Sequence, residues 1–142
     1  MKSAALIATA VALLLPCAAH AEGKACDGLK NVTYAGIMRG PFDRFPDAFA
    51  ASSLTFDARG TGAGRGLIGY DPASTAAVQS PYSGVTCIAD SDTSGKLNFG
   101  PSLGSNSFTV HDGGSRLWVR HEIPGRPLAG WLFRLPAPPK AP

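Results

Sequence analysis

The sequence has 142 residues, a net charge of +3 and only 16% charged side chains, which are scattered along its length. Binding to nucleic acid needs a clustered basic surface, so this charge pattern argues against a nucleic-acid partner. A chain of this length encloses one small core, which excludes a multidomain protein.

The first 21 residues have the pattern of a bacterial secretory signal peptide. Lys2 supplies the positive start, residues 4–15 are apolar, and Ala19-His20-Ala21 is a small-x-small cleavage site. We expect cleavage after Ala21, which places the protein in the periplasm or outside the cell. No second long apolar run follows, so the sequence predicts no membrane span.

Cys26 and Cys87 are the two cysteines that remain after the leader is removed. An even number of cysteines in an oxidising compartment predicts a disulfide between them. Neither cysteine has a histidine at ligand spacing, and there is no Cys-x-x-Cys motif. The sequence therefore predicts no metal and no cofactor.

The first strand is predicted at 32–39 and ends at Gly40-Pro41. The next segment, 42–50, carries three phenylalanines at helical spacing: Phe42, Phe45 and Phe49. This spacing predicts one short helix or a lid segment, limited by Pro46. Two interpretations stay open, because the phenylalanines can plug one end of a barrel or cover a ligand cavity as a mobile lid.

A second strand is predicted at 52–57, followed by the glycine-rich segment 59–66. This segment has neither the lysine of a phosphate-binding loop nor a helix after it. We interpret it as a hairpin turn with glycine-rich strand ends, leading into a strand at 67–70.

Three further strands are predicted in the middle of the chain. A short edge strand covers 75–79, Ser80-Pro81 interrupts it, and a longer strand covers 82–89. The polar turn 90–95 begins like a calcium loop but has no later ligands. The strand 96–99 follows.

Residues 108–134 predict a three-stranded meander with turns at Gly113-Gly114 and Pro124-Gly125. In this register Val110 pairs with Leu117, and Trp118 pairs with Trp131. One face of the meander is then aliphatic, and a one-residue slip would destroy that segregation.

The opposite face of the meander is the candidate interaction site. It carries four residues of types that are enriched at binding hot spots: Arg116, Trp118, Arg120 and Trp131. The alternative is that this face lies inside the barrel or is covered by the chain ends. His111 and His121 fall on opposite faces, which argues against a metal site that they share.

About eight short strands with glycine turns and no long helix predict an all-β protein, closed as a small antiparallel up-and-down barrel. We expect residues 22–135 to form this single domain and the Pro-rich tail 136–142 to be disordered. Such a barrel has a packed interior or holds one small ligand.

Four segments of the second half also carry a resemblance to known proteins. They are Tyr82-Ser-Gly84, Asp92-Thr-Ser-Gly-Lys-Leu97, Phe108-Thr-Val-His-Asp-Gly-Gly114 with Leu117 and Val119, and Gly130 to Arg134. Together they resemble small secreted bacterial β-barrel domains of unknown function and are similar to calycin-like (lipocalin-like) barrels. No catalytic set comes with this resemblance, and the lipocalin Gly-x-Trp motif near the first strand is missing.

The sequence thus favours a monomeric, non-enzymatic barrel that binds a small apolar molecule. One alternative is a protein-interaction module or enzyme inhibitor that binds an envelope protein through the Trp/Arg face. The other is a small envelope enzyme, although the sequence has no Gly-x-Ser-x-Gly elbow and its aspartates fall in predicted turns.

Overall fold

The computed structural model describes residues 24–42, 44–70, 77–122 and 124–137. The predicted leader and residues 138–142 of the predicted tail lie outside this part of the chain. The elements are α1 Lys24–Asp27, β1 Thr33–Phe42, β2 Phe45–Phe56, β3 Gly62–Gly69, β4 Ala77–Ala89, β5 Ser94–Asn98, β6 Ser105–His111, β7 Arg116–His121 and β8 Ala129–Arg134, with a 3₁₀ turn at Asp112–Gly114. None of the helices described is long and apolar enough to cross a membrane.

The eight strands form a closed barrel. Each strand pairs antiparallel with the next one in the sequence, and β8 pairs back with β1. At this closing seam Gly36 lies opposite Leu132, and Met38 lies opposite Gly130. The predicted all-β up-and-down barrel is therefore confirmed. Closure also satisfies the backbone groups that an edge strand would leave open.

The lower end of the barrel, where β1 begins, is filled by large side chains. The inward residues at this level are almost fully buried: Tyr34, Leu54, Phe56, Val85, Leu97, Phe108, Leu117, Val119 and Leu132. The buried Tyr34 hydroxyl donates a hydrogen bond to the Gly114 carbonyl across this end, at 2.7 Å. These contacts make the lower half a packed core.

The short helix α1 closes the lower end. It packs against β4 and β5 and buries Ala25, and Leu29 just after it is buried as well. The predicted disulfide between Cys26 and Cys87 is present and ties the helix to β4, with the two Cα atoms 5.8 Å apart. The N-terminal segment is thereby fixed to the barrel by one covalent bond and by apolar contacts.

The register predicted for the meander is confirmed. Val110 lies opposite Leu117, and Trp118 lies opposite Trp131. The turn between β6 and β7 has positive φ at three successive residues, Asp112, Gly113 and Gly114. Glycine adopts this conformation without steric cost, which explains the Gly-Gly pair at this position. The aliphatic face of the meander points into the barrel.

The helix predicted at 42–50 is wrong. Phe42 ends β1, and β2 begins at Phe45, so this segment is the tip of a β-hairpin. Ala48 and Ala50 point inward and are buried, whereas Phe49 between them lies opposite the exposed Arg39. The alternation of these small residues decides the structure, and the helical spacing of the phenylalanines is coincidental.

The interruption predicted at Ser80-Pro81 is also wrong, because β4 runs continuously from Ala77 to Ala89. Its first half pairs with β3, and Pro81 lies opposite Arg65. Only Thr86–Ala89, at the end of β4, pair with β5. A strand with a ladder on one side only can include a proline, which lacks the N–H group.

Candidate functional site

The upper half of the barrel contains a cavity of about 110 Å³. Small inward residues create this cavity. The upper half of the barrel has Ala50, Ser52, Gly66 and Ser80 at inward positions, whereas bulky side chains take the inward positions of the lower half. The larger residues around it are apolar or aromatic: Met38, Phe42, Ile68, Tyr82, Phe99, Leu103 and Leu128. The predicted barrel is therefore packed at one end and open at the other.

Asn106 and His121 form the polar wall of this cavity. Asn106 is 7% exposed, and its Oδ1 lies 2.5 Å from Nδ1 of His121. Burial lowers the pKa of His121, and the positive charge of Arg126 lowers that pKa further. Both effects favour the neutral form of the ring. When Nδ1–H donates to Asn106, Nε2 remains as a hydrogen-bond acceptor.

Tyr82 supplies a second polar group on the opposite side of the barrel. Its hydroxyl donates to the Ser53 carbonyl at 2.7 Å and lies 2.6 Å from the Ser52 hydroxyl. Burial raises the pKa of this phenol. Its ring packs edge-on against Phe99, with centroids 5.1 Å apart. Tyr82 thus presents an aromatic surface to the cavity and keeps its hydroxyl bonded to β2.

The three phenylalanines predicted to act together are separated in the structure. Phe42 lines the cavity and packs against Tyr70, and the Arg126 guanidinium lies 4.6 Å above its ring. Phe45 also packs against Tyr70, with ring centroids 5.1 Å apart. Phe49 lies on the outer side, where its ring covers Gly69. Of the three, only Phe42 lines the cavity.

The predicted Trp/Arg residues lie on the outside of the barrel. Trp118 and Trp131 pack edge-on at 5.1 Å, and the Arg116 guanidinium lies 4.7 Å above the Trp131 ring. Arg116 also forms an ion pair with Asp112. Arg120 is exposed at the other end of β7. The interior alternative for this face is therefore wrong, since the aliphatic side of the same strands fills the barrel.

Sequence reasoning missed most of the cavity. Asn106 and His121 are opposite each other across β6 and β7, one step beyond the predicted pair Phe108 and Val119. Extending the inward alternation by that step would have placed both polar side chains inside. Tyr82, by contrast, reaches the cavity from a strand whose pairing depends on the complete barrel.

The part of the chain that the structure describes contains no group of three or more metal-binding side chains. The nearest carboxylate in the sequence to His121 is Glu122, which accepts a hydrogen bond from Ser105 and lies 3.4 Å from Lys96. The hydrogen-bond partner of the His121 ring is the amide of Asn106.

No known protein family, curated protein or solved structure matches this chain. The resemblance to calycin-like barrels therefore stays a prediction.

The lowered pKa of His121 predicts a pH-dependent stability. In the unfolded chain His121 titrates near its ordinary pKa of 6.5, and in the folded chain its pKa is lower. Between these two pKa values the unfolded state therefore binds more protons than the folded state. The free energy of unfolding should be highest above pH 6.5 and should fall as the pH drops through that window. Urea denaturation at about pH 8 and about pH 5 measures this decline.

The replacement His121→Gln should flatten this pH dependence, because glutamine keeps a hydrogen bond to Asn106 without titrating. The matched replacement His111→Gln, on the outer side of β6, retains His121 and should keep the decline. A His121→Gln variant that loses stability at low pH as steeply as the unsubstituted chain would assign the effect to other groups.

Proposed function

We propose that this chain is a non-enzymatic binding barrel that holds one small, mostly apolar and neutral molecule in its upper cavity. The observation that carries the proposal is the uneven filling of the interior. Aromatic and aliphatic side chains close the lower half, whereas small residues leave a cavity of about 110 Å³ above it. A barrel that served only as a rigid scaffold would gain stability from filling that space.

The size of the cavity limits the ligand to roughly one ring. An apolar cavity of about 150 Å³ accepts a benzene-sized molecule, so a cavity of about 110 Å³ in the open end of the barrel suits a ligand with a single ring. Apolar walls with one or two placed polar groups are typical of small-molecule sites. The wall fits this description, because Asn106 and His121 are its polar pair.

The chemistry of the wall favours a neutral ligand with one hydroxyl or amide group. Among the described residues that line the cavity there is no Asp, Glu, Lys or Arg. A charged ligand would lose its hydration there without a compensating ion. A neutral hydroxyl can donate to Nε2 of His121 while the rest of the molecule contacts Phe99 and Leu128.

We further propose that this binding takes place in the periplasm or outside the cell, with the barrel as a monomer. The Cys26–Cys87 disulfide supports an oxidising compartment, and the leader pattern of the first 21 residues agrees with it.

The test is an NMR titration of the chain that starts at Glu22 with toluene, phenol and benzyl alcohol. We expect shifts of the Asn106 side-chain amide and of the Ile68 methyl groups, with phenol and benzyl alcohol bound more tightly than toluene. The replacement Ala50→Leu adds three carbons inside the cavity and should weaken binding at least about tenfold.

The matched control is Ala35→Leu, which makes the same change on the outer side of β1 and should leave the affinity unchanged. Absence of shifts with all three compounds, or equal affinity in the Ala50→Leu variant, would refute binding in this cavity.

A further inference from the structure

Exposed large apolar side chains are concentrated on one side of the barrel. Of the five among the described residues, four lie on β1, β7, β8 or directly after β8: Ile37, Trp118, Phe133 and Leu135. The fifth, Ile88, lies on β4. We call the outer side of β1, β7 and β8 the aromatic face, comprising Ile37, Trp118, Trp131 and Phe133.

The strand register makes the aromatic face continuous. Ile37 lies opposite Trp131, and Trp131 lies opposite Trp118, so three large side chains form one row across three strands. Phe133 belongs to the next row, two residues along β8, where it lies opposite Arg116. Side chains at such positions contact each other. Contiguous apolar surface on a monomer marks a docking site more often than scattered single residues do.

The charges on these strands all have one sign. Within the bounds of β1, β7 and β8 there are four arginines and no aspartate or glutamate. Arg39, Arg116 and Arg120 are on the outer side, whereas Arg134 lies opposite the buried Tyr34 at the lower end. The neighbouring Asp112 forms its ion pair with Arg116 and neutralises one of them. A second copy of the chain would therefore bring like charges together on this face, and an anionic partner would pair with them.

We propose that the aromatic face docks this protein on the surface of an anionic lipid bilayer. Ile37, Phe133 and the two tryptophan rings would enter the boundary between headgroups and acyl chains, where tryptophan is the preferred aromatic residue. The arginines would remain at the level of the lipid phosphates, to which a guanidinium donates two hydrogen bonds.

The arrangement of charge favours a bilayer over an acidic protein. Tryptophan and arginine are enriched in protein interfaces as well, so the choice of partner rests on the arrangement of these side chains and not on their types. Here Arg116 lies inside the patch, stacked on Trp131 and opposite Phe133 across the strand pair. Interleaved rings and guanidinium groups match a headgroup layer, in which phosphates and the start of the acyl chains lie within one side-chain length of each other.

The experiment is a titration of the chain that starts at Glu22 with vesicles of phosphatidylethanolamine and phosphatidylglycerol, compared with vesicles of phosphatidylcholine alone. Starting at Glu22 removes the apolar leader, which would bind vesicles by itself. Trp118 and Trp131 are the only tryptophans in the sequence. Their emission therefore reports on this face alone, and we expect a blue shift with the anionic vesicles only.

Substitutions that keep both tryptophans test the surface. Phe133→Ser and Ile37→Ser should each weaken vesicle binding by roughly tenfold. Arg39→Gln and Arg120→Gln should each weaken it by about fivefold and reduce its sensitivity to salt. The matched control is Ile88→Ser, because Ile88 is 49% exposed and Phe133 is 52% exposed. This control should bind as the unsubstituted chain does.

Each contrary outcome overturns the proposal. If anionic vesicles cause no blue shift of the tryptophan emission, the aromatic face does not bind bilayers and fits an acidic protein partner instead. If phosphatidylcholine vesicles bind as tightly as the anionic ones, the arginines have no role in binding. If Ile88→Ser weakens vesicle binding as much as Phe133→Ser does, binding does not depend on the aromatic face. The result is independent of the cavity, because Ala50→Leu should bind vesicles with unchanged affinity.

Discussion

Removing the disulfide between Cys26 and Cys87 should lower the free energy of unfolding by about 4 kcal/mol. The two residues are 61 positions apart, and the bond removes the conformational freedom of that loop from the unfolded chain. Small domains have a total stability of about 5–15 kcal/mol, so a change of this size is a large fraction of the whole.

In the variant without the disulfide, local unfolding should begin at the lower end of the barrel. The disulfide anchors α1, a helix of only four residues that has too few backbone hydrogen bonds to persist alone. Without the bond, Ala25 and Leu29 still pack against the rest of the core, but the covalent link between α1 and β4 is lost. We therefore expect amide hydrogens near α1 to exchange faster than those of β6 and β7.

Urea denaturation of the double variant Cys26→Ser/Cys87→Ser, compared with the unsubstituted chain, measures the effect. The unsubstituted chain with dithiothreitol should match the double variant, and the variant itself should not respond to the reductant. A difference below about 1 kcal/mol would show that the unfolded chain is not restricted by the bond.

Local signals were sufficient for the meander and the disulfide. Between Phe108 and Arg134 the turn residues and the inward alternation agree, and each excludes a shifted register. For the disulfide, Cys26 has a single possible partner, Cys87, once the predicted leader with Cys17 is set aside. In both cases the information lies in a few neighbouring positions or in a count, and the complete barrel is not needed to interpret it.

The cavity could not be predicted in this way, because it depends on how the eight strands are staggered. Ala50, Ser52, Gly66 and Ser80 come from three strands, and only the closed barrel places them at the same level. The helix predicted at 42–50 was wrong for a related reason. Its three phenylalanines fit a helical spacing, whereas the pairing of β2 with β1 and β3 imposes an extended backbone.

Gly36→Ala and Gly130→Ala should each destabilise the barrel by about 3 kcal/mol. These glycines lie at the closing seam between β1 and β8. A Cβ atom at Gly36 would overlap the carbonyl oxygen of Trp131, and one at Gly130 would overlap the carbonyl oxygen of Ile37. Both obstacles are backbone atoms of the neighbouring strand, so the overlap can be relieved only by moving β1 and β8 apart. The sequence alone shows two unremarkable strand glycines at these positions.

Gly66→Ala is the matched control for this prediction. It is the same substitution at an inward strand position, but the nearest atom to the added carbon is Cε1 of Tyr82, at an ordinary contact distance of 3.6 Å. This variant should change the free energy of unfolding by less than about 1 kcal/mol, in the stabilising direction, because alanine restricts the unfolded chain. Thermal and urea denaturation of the three variants measure the contrast. Equal losses in all three would show that strand glycines are required in general and that contact across the seam is not the cause.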